Sequence, residues 1–170
     1  MKKSTYYLSL ISIIFSLQFI SSSIVYASKE NSPAPDFSLT SINDNKTIAL
    51  KDYAGKVVYL DFWASWCAPC RASFPLLNEL QHKYKDKGFE VLAINLDDDL
   101  ASVEKFKKAC PVDFTLLRDE KNQAPQSYKV QAMPSSYIID KNGNIRHIHR
   151  GFKKGDISII EQQIVQLLSE

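Results

Sequence analysis

In this 170-residue chain, Cys67 and Cys70 are separated by two residues, a spacing typical of reactive cysteine pairs and of metal sites. The apolar run before them, Val57–Trp63, is rich in β-branched and aromatic residues and predicts a buried strand, and a helical pattern follows them. The cysteines would then lie at the start of a helix, where unpaired N–H groups and the helix dipole favour a negative charge. A thiolate with a lowered pKa is the nucleophile of thiol–disulfide exchange.

The same spacing also occurs in structural disulfides and in zinc sites. A zinc site would need more ligands, but the chain has no second pair of this kind and its three histidines are scattered. We therefore expect a redox pair, with Cys67 as the attacking thiol and Cys70 as the resolving thiol. We expect neither a metal nor a cofactor.

One carboxyl group, that of Asp61, interrupts the apolar strand before the cysteines. A buried carboxylate is costly when charged, so burial should raise its pKa. Close to neutrality it could accept the proton of Cys70 while that thiol resolves a mixed disulfide. The alternative is an aspartate bonded to the backbone at the end of the strand.

The remaining patterns predict the elements that must position these residues. Parallel β-α-β units in the middle, followed by a hairpin and a helix, predict an α/β fold with a mixed central sheet and helices on both faces. The expected elements are an N-terminal β-hairpin over 36–50, helices over 71–87, 100–109, 120–128 and 155–168, and strands over 57–63, 89–96, 114–117, 135–140 and 145–150.

Two further features have a structural and a chemical interpretation. Asp97–Asp99 could suggest a metal site, but the spacing lacks the glycine and terminal glutamate of a calcium loop, which favours a solvated loop before a helix. Cys110 belongs to no motif, and a small buried apolar role is expected for it over a redox or dimer-forming thiol.

The N-terminal segment has the layout of a secretory signal peptide. Lys2 and Lys3 precede a mostly apolar stretch, and Ala27 ends a small-residue cleavage pattern. An uncleaved membrane anchor is the alternative, because the apolar stretch is nearly long enough to cross a bilayer. We expect a signal peptide over 1–27 that engages the export machinery, and a flexible linker over 28–35.

The charge balance excludes one class of partner. Lys2 and Lys3 account for the net charge of +2, so the rest of the chain is formally neutral and gives no argument for nucleic-acid or membrane-surface binding. Three cysteines are too few for a disulfide-stapled scaffold. The expected mature part is therefore one domain over 36–170.

The run Asp61–Cys70, with Pro75 five residues further on, resembles the active-site strand and helix of the thioredoxin superfamily. The hairpin with its Pro-Asp-Phe start, and a Gly-Lys-Val before the central strand, resemble its exported TlpA-like, redoxin-type branch. The resemblance covers roughly residues 33–168 and implies the thioredoxin fold.

The resemblance also implies further site residues. Met133–Pro134 matches the cis-proline that faces the cysteines in this superfamily, where it leaves the backbone free to pair with an extended substrate. Trp66 and Pro69 are expected to shape the rim of the site and to contact substrate. Asp61 matches the buried aspartate of thioredoxins.

At two positions the sequence departs from its relatives. Thioredoxins pair the buried aspartate with a lysine, and the matching residue here is Ala93. Some haem-maturation relatives carry a glutamate where this chain has Ser73, so the resemblance does not assign the chain to that subgroup.

The function that these features favour is an exported thiol–disulfide oxidoreductase that reduces disulfides of other exported proteins. Its partners would be cysteine-containing clients and a membrane electron donor, and its location the periplasm or another exported one, with membrane anchoring if the signal is retained. Alternatives are a thiol peroxidase of related fold, although its Pro-x-x-x-Thr/Ser-x-x-Cys pattern does not precede Cys67, and a copper or other metal chaperone that uses the cysteine pair.

Overall fold

The computed structural model describes residues 29–170. The predicted signal peptide over 1–27 lies outside the described residues. Within 29–170, no helix is both long enough and apolar enough to cross a membrane.

A single mixed sheet organises the described part of the chain. Its strand order is β1-β8-β7-β4-β5-β6-β2-β3, with β4, β5 and β6 mutually parallel and β7 antiparallel to β4. The strands are β1 (Ser32–Pro33), β2 (Ser38–Ser41), β3 (Thr47–Ala49), β4 (Val57–Trp63), β5 (Phe89–Asn95), β6 (Thr115–Arg118), β7 (Ser135–Ile139) and β8 (Asn144–Arg150).

Four α-helices cover the two faces of this sheet. Side chains of α1, α2 and α4 pack into one apolar cluster with alternate residues of β4, whereas Ala124 of α3 joins the cluster on the opposite face. The helices are α1 (Ala68–Tyr84), α2 (Leu100–Ala109), α3 (Gln123–Ser127) and α4 (Asp156–Ser169), with 3₁₀ turns at Leu50–Tyr53 and Lys85–Lys87. The predicted α/β architecture is confirmed.

Strand β4 lies in the interior of the sheet, between β7 and β5, and all seven of its residues are buried. Strands with neighbours on both sides and helices on both faces are expected to be apolar throughout, which is what the run Val57–Trp63 shows apart from Asp61. Pro75 lies inside α1 without ending it. The strand that leads to the cysteine pair is thus buried along its whole length.

The N-terminal hairpin extends the sheet beyond β6. Strand β2 pairs with β3 and also with β6, where Thr40 is opposite Arg118. Upstream, the structure differs from the expected flexible linker, because Ser32–Pro33 pairs with Asn144 and Ile145 of β8. The difference has a physical reason: proline lacks an N–H group and is tolerated on an edge strand, and the Ala34 N–H bonds the Gly143 carbonyl at 2.9 Å.

Candidate active site

Cys67 and Cys70 are joined by a disulfide at the start of α1, with their Cα atoms 5.3 Å apart. Cys67 is the residue that caps the helix, and its Sγ accepts a hydrogen bond from the Cys70 N–H at 3.2 Å. In this oxidised form Cys67 is 4% exposed and Cys70 is fully buried. Of the two sulfur-bearing residues, only Cys67 therefore reaches the surface.

The position of Cys67 gives it the electrostatics of a nucleophilic thiol. The first N–H groups of a helix have no partner within the helix, and the helix dipole places partial positive charge at this end. After reduction, the Cys70 N–H that already points at Cys67 would stabilise a thiolate on that sulfur.

The rim of the site is formed by the loop before α1 and by the first helical turn. Trp66 is 71% exposed, although it directly precedes a buried cysteine. Ala68 and Pro69 are exposed, and Pro69 lies in the first turn, where its missing N–H costs no hydrogen bond. The exposed side chains that precede and follow Cys67 in sequence are thus apolar.

Asp97 ties the loop before Cys67 to the end of β5. Its carboxylate accepts hydrogen bonds from the Ser65 N–H at 2.7 Å, the Ser65 hydroxyl at 2.8 Å and the Asn95 side chain at 2.7 Å. The Ser65 carbonyl is held from the other side by Arg71 at 3.1 Å. The interpretation of Asp97–Asp99 as a solvated loop is therefore wrong for Asp97, while Asp99 caps α2 through the Ala101 and Ser102 N–H groups.

The sequence contained a signal for this contact. Asp97 comes directly after β5, and the carboxyl ends of parallel strands β4 and β5 meet at the same edge of the sheet. In open α/β sheets, binding sites form at the carboxyl ends of the strands. A polar residue directly after β5 could therefore be expected to contact the loop that follows β4.

Asp61 lies inside β4, opposite Ala93 of β5 and Ser136 of β7. It is 1% exposed, and it is not at the end of its strand. Side chains alternate along a strand, so Asp61 shares the face of Tyr59 and Trp63. Those two residues pack in the apolar cluster that also contains both cysteines.

The carboxyl group of Asp61 has one hydrogen-bond donor. The Ser136 hydroxyl donates to Oδ1 at 3.0 Å, whereas Oδ2 is buried and accepts no hydrogen bond from residues 29–170. Burial raises the pKa of Asp61 from 3.8 to about 7, and the Ser136 hydrogen bond opposes this shift. Ala93, the residue opposite on β5, supplies no charge that would lower the pKa further.

Met133–Pro134 is a cis peptide bond, as the family resemblance implied. It directly precedes β7, whose first residue, Ser135, is opposite Phe62 near the end of β4. Pro134 is buried, and its carbonyl accepts from the Gly151 N–H at 2.8 Å. Met133 is half-buried against the cluster that contains both cysteines. The fold therefore brings this segment to the edge of the sheet from which the cysteine loop leaves.

Two other sequence-marked residues have structural contacts. Ser73 is buried and its hydroxyl donates to the Cys70 carbonyl at 3.0 Å. Cys110 is a free, buried thiol at the end of α2, and burial raises its pKa. Across residues 29–170, no group of three or more histidine, cysteine, aspartate or glutamate side chains is placed to hold a metal ion.

Comparison with known proteins gives a matching family and similar proteins. The redoxin family model matches residues 29–164. Thiol-disulfide oxidoreductase ResA from Geobacillus kaustophilus is 41% identical over 120 residues, which is 71% of this chain and 68% of that protein.

Solved structures agree with the sequence comparison. A crystal structure from Chlorobium tepidum that carries the name thiol:disulfide interchange protein DsbE has a TM-score of 0.80 and 46% identity, covering 84% of this chain and 99% of that one. A solution structure from Bacteroides thetaiotaomicron that carries the name protein disulfide isomerase has a TM-score of 0.77 and 30% identity, covering 85% and 93%. The chain therefore belongs to the redoxin family, and it is a thiol–disulfide oxidoreductase of that family.

Proposed function

We propose that this oxidoreductase is exported and reduces disulfides of other exported proteins through Cys67 and Cys70. The observation that carries the proposal is the placement of the Cys67–Cys70 disulfide at the first turn of α1, with Cys67 as the helix cap. A helix-capping thiol is the better nucleophile of such a pair, because its thiolate is stabilised there.

In the first step, the Cys67 thiolate of the reduced enzyme attacks one sulfur of a client disulfide. A bond forms between Cys67 Sγ and that sulfur, the client S–S bond breaks, and the other client sulfur leaves as a thiolate with the electron pair. The product is a mixed disulfide between enzyme and client.

In the second step, Cys70 resolves the mixed disulfide. Its thiol proton passes to the ionised Asp61 carboxylate, and the resulting thiolate attacks Cys67 Sγ. The Cys67–Cys70 disulfide forms, and the second client sulfur leaves as a thiolate. The burial of Asp61 on the face of β4 that packs with both cysteines supports this role, because a pKa of about 7 suits proton transfer at neutral pH.

Four rim residues would contact the client. The exposed indole of Trp66 and the exposed ring of Pro69 offer apolar surface on one side of the disulfide. On the other side, beside the end of β4, the cis bond to Pro134 would present the Met133 backbone to an extended client segment, and the Pro134 ring would contact that segment.

Export is proposed from the N-terminal sequence. Lys2, Lys3 and the apolar stretch before Ala27 suit a signal peptide over 1–27, and this boundary is tested by N-terminal sequencing of the protein recovered from cell fractions. Outside the cytoplasm, the oxidised enzyme needs a source of electrons, for which we propose a membrane-bound thiol donor.

Paired cysteine variants test the reductase mechanism. Cys67→Ser should abolish insulin reduction, whereas Cys70→Ser should still attack and should accumulate mixed disulfides that are visible on non-reducing gels. Cys110→Ser is the matched control and should keep the wild-type rate, because Cys110 lies outside the pair. If alkylation against pH showed Cys70 to be the more acidic and more accessible thiol, the assignment of roles would be wrong.

The direction of electron flow is tested by the reduction potential of the pair. A reductant should have a potential nearer to about −270 mV, the value of thioredoxin, than to about −120 mV, the value of a strong oxidant. A potential at the oxidising end would contradict the proposed direction. Peroxide turnover or stoichiometric metal binding by the pair, without insulin reduction, would favour the peroxidase or the metal chaperone.

A further inference from the structure

Three buried side chains form a hydrogen-bonded chain behind the cysteine pair. The Tyr59 hydroxyl donates to Ser136 Oγ at 2.8 Å, and the Ser136 hydroxyl donates to Asp61 Oδ1 at 3.0 Å. We propose that Ser136 and Tyr59 are positioning residues for proton transfer, which hold Asp61 Oδ1 so that Oδ2 is the atom that accepts the Cys70 proton. This inference rests on the proposed function, in which Asp61 is the base.

The register between β4 and β7 places these three hydrogen-bonded side chains next to one another. Ser136 is directly opposite Asp61, and Tyr59 is opposite Ile138, two residues further along the antiparallel pair. Tyr59 and Asp61 are on the same face of β4, so the small serine lies within reach of both. All three residues are no more than 2% exposed, so their hydrogen bonds are shielded from bulk water.

The direction of the hydrogen bonds follows from the donors that are present. A phenol has one hydrogen, and burial raises the pKa of Tyr59, so this hydrogen stays on its oxygen and is directed to Ser136 Oγ. Ser136 accepts that bond, and its own hydrogen is left for Asp61 Oδ1. Since Oδ1 is occupied by this donor, the incoming proton belongs on Oδ2, the oxygen with no donor among residues 29–170.

The groups around Asp61 leave this serine as its main polar influence. From β5 the facing residue is Ala93. From α1, Cys70 packs in the cluster on the same face, and it does not titrate while it is held in the disulfide. From α4, the charge of Asp156 acts on Tyr59 and helps to keep it protonated. Burial and the Ser136 hydrogen bond are the two influences on the pKa of Asp61.

Removing either hydroxyl should therefore make Asp61 harder to ionise. Ser136→Ala takes away the donor that stabilises the ionised carboxylate, and Tyr59→Phe frees the Ser136 hydrogen from its fixed direction. The matched control is Tyr137→Phe, which removes another buried tyrosine hydroxyl, one bonded to the Tyr128 carbonyl at 2.6 Å in the cluster on the opposite face.

The experiment follows the Asp61 carboxyl by ¹³C NMR against pH in the oxidised protein, and measures the resolution rate of a preformed mixed disulfide against pH. In Ser136→Ala, both midpoints should move up by about one to two pH units, the size expected for losing a hydrogen bond to a charged group. Tyr59→Phe should move both midpoints in the same direction by less, and Tyr137→Phe should leave both at the wild-type value.

Unmoved midpoints in Ser136→Ala, or equal shifts in Tyr59→Phe and Tyr137→Phe, would overturn the inference. The NMR titration does not depend on catalysis, so Tyr59→Phe keeps the test decisive if Ser136→Ala folds poorly. A wild-type protein that shows these NMR shifts in its variants but reduces no disulfide would overturn the proposed function instead.

Discussion

The apolar clusters on the two faces of strand β4 both contain buried polar groups. Among residues 29–170, only one of the two clusters has buried polar atoms without a hydrogen-bond partner beside it. On the face covered by α1, Tyr59, Asp61 and Trp63 lie with the cysteine pair, and two polar atoms there, Asp61 Oδ2 and Trp63 Nε1, have no partner among residues 29–170. On the other face, Phe62 packs against Tyr128 and Tyr137 with ring centroids 5.4 and 5.8 Å away.

The second face leaves none of its described tyrosine hydroxyls without a partner. Tyr137 donates to the Tyr128 carbonyl, and Tyr128 donates to the Pro35 carbonyl at 2.7 Å. Buried polar groups are normally satisfied, and an unsatisfied one costs free energy. The comparison teaches that this protein accepts that cost on one side of a strand, at the residue proposed to move a proton, and avoids it on the other side.

Converting the first face to the neutral chemistry of the second has the largest expected effect. Asp61→Asn cannot accept the Cys70 proton, so we expect resolution of the mixed disulfide at neutral pH to slow by roughly 10²–10⁴-fold, the usual contribution of a general base. The initial attack by Cys67 should change much less. Stopped-flow kinetics with a model disulfide separates the two steps.

The pH dependence provides the control for this prediction. In the wild type, the base must be ionised, so resolution should accelerate as the pH rises through about 7, the pKa of Asp61. This rise should be missing in Asp61→Asn. An unchanged rate and an unchanged profile in the variant would remove Asp61 from the mechanism.

The second prediction measures the cost of the buried carboxylate in stability. Its pKa is about 7 in the folded protein and 3.8 for an ordinary aspartate, so between these two limits the folded state holds the extra proton. The stability contributed by protonated Asp61 is therefore complete below about pH 4, declines as the pH rises, and is lost above about pH 7. The loss amounts to about 4 kcal/mol at most.

Denaturant unfolding of the oxidised wild type and of Asp61→Asn isolates this contribution. Other carboxylates, such as Asp99 and Glu161, have lowered pKa values, so their contribution to the stability of the protein decreases as the pH falls. They are present in both proteins, and their effect cancels in the comparison. The stability of the variant relative to the wild type should therefore increase between pH 4 and 7. If the difference in unfolding free energy between the two proteins did not change from pH 4 to 7, the folded protein would not raise the pKa of Asp61.

Local patterns in the sequence were enough to predict the elements that carry the site. The apolar run gave β4, and the residues of α2 were predicted with the bounds Leu100–Ala109 that the structure has. The position of Cys67 at the start of α1 and the burial of Asp61 followed from the same patterns. The cis bond before Pro134 required a family resemblance, because no local pattern distinguishes it from other X–Pro bonds.

Contacts between distant residues could not be predicted. Ser136 is 75 residues from Asp61, and its identity as the partner depends on the register between β4 and β7. The pairing of Ser32–Pro33 with β8 depends in the same way on an edge that forms much later in the chain. For Asp97 the position directly after β5 indicated the right edge of the sheet, but its partner, Ser65, is 32 residues away and could not be named.

The smallest expected effect concerns this last contact, which joins the loop of the reactive face to β5. Asp97→Asn keeps the size of the side chain but replaces one acceptor oxygen by a donor and removes the charge. The Ser65 hydroxyl can then no longer donate to Oδ1, and the Ser65 N–H bond is no longer made to a charged acceptor. The matched control is Asp98→Asn, at an exposed neighbouring position. We expect Asp97→Asn to lower the free energy of unfolding of the oxidised protein by about 1–3 kcal/mol, and Asp98→Asn to change it by less than about 0.5 kcal/mol. Because the loop leads into Cys67, the same loosening should speed alkylation of that thiol in the reduced Asp97→Asn protein. Equal unfolding midpoints and equal alkylation rates in the two variants would show that the contact does not hold the cysteine loop.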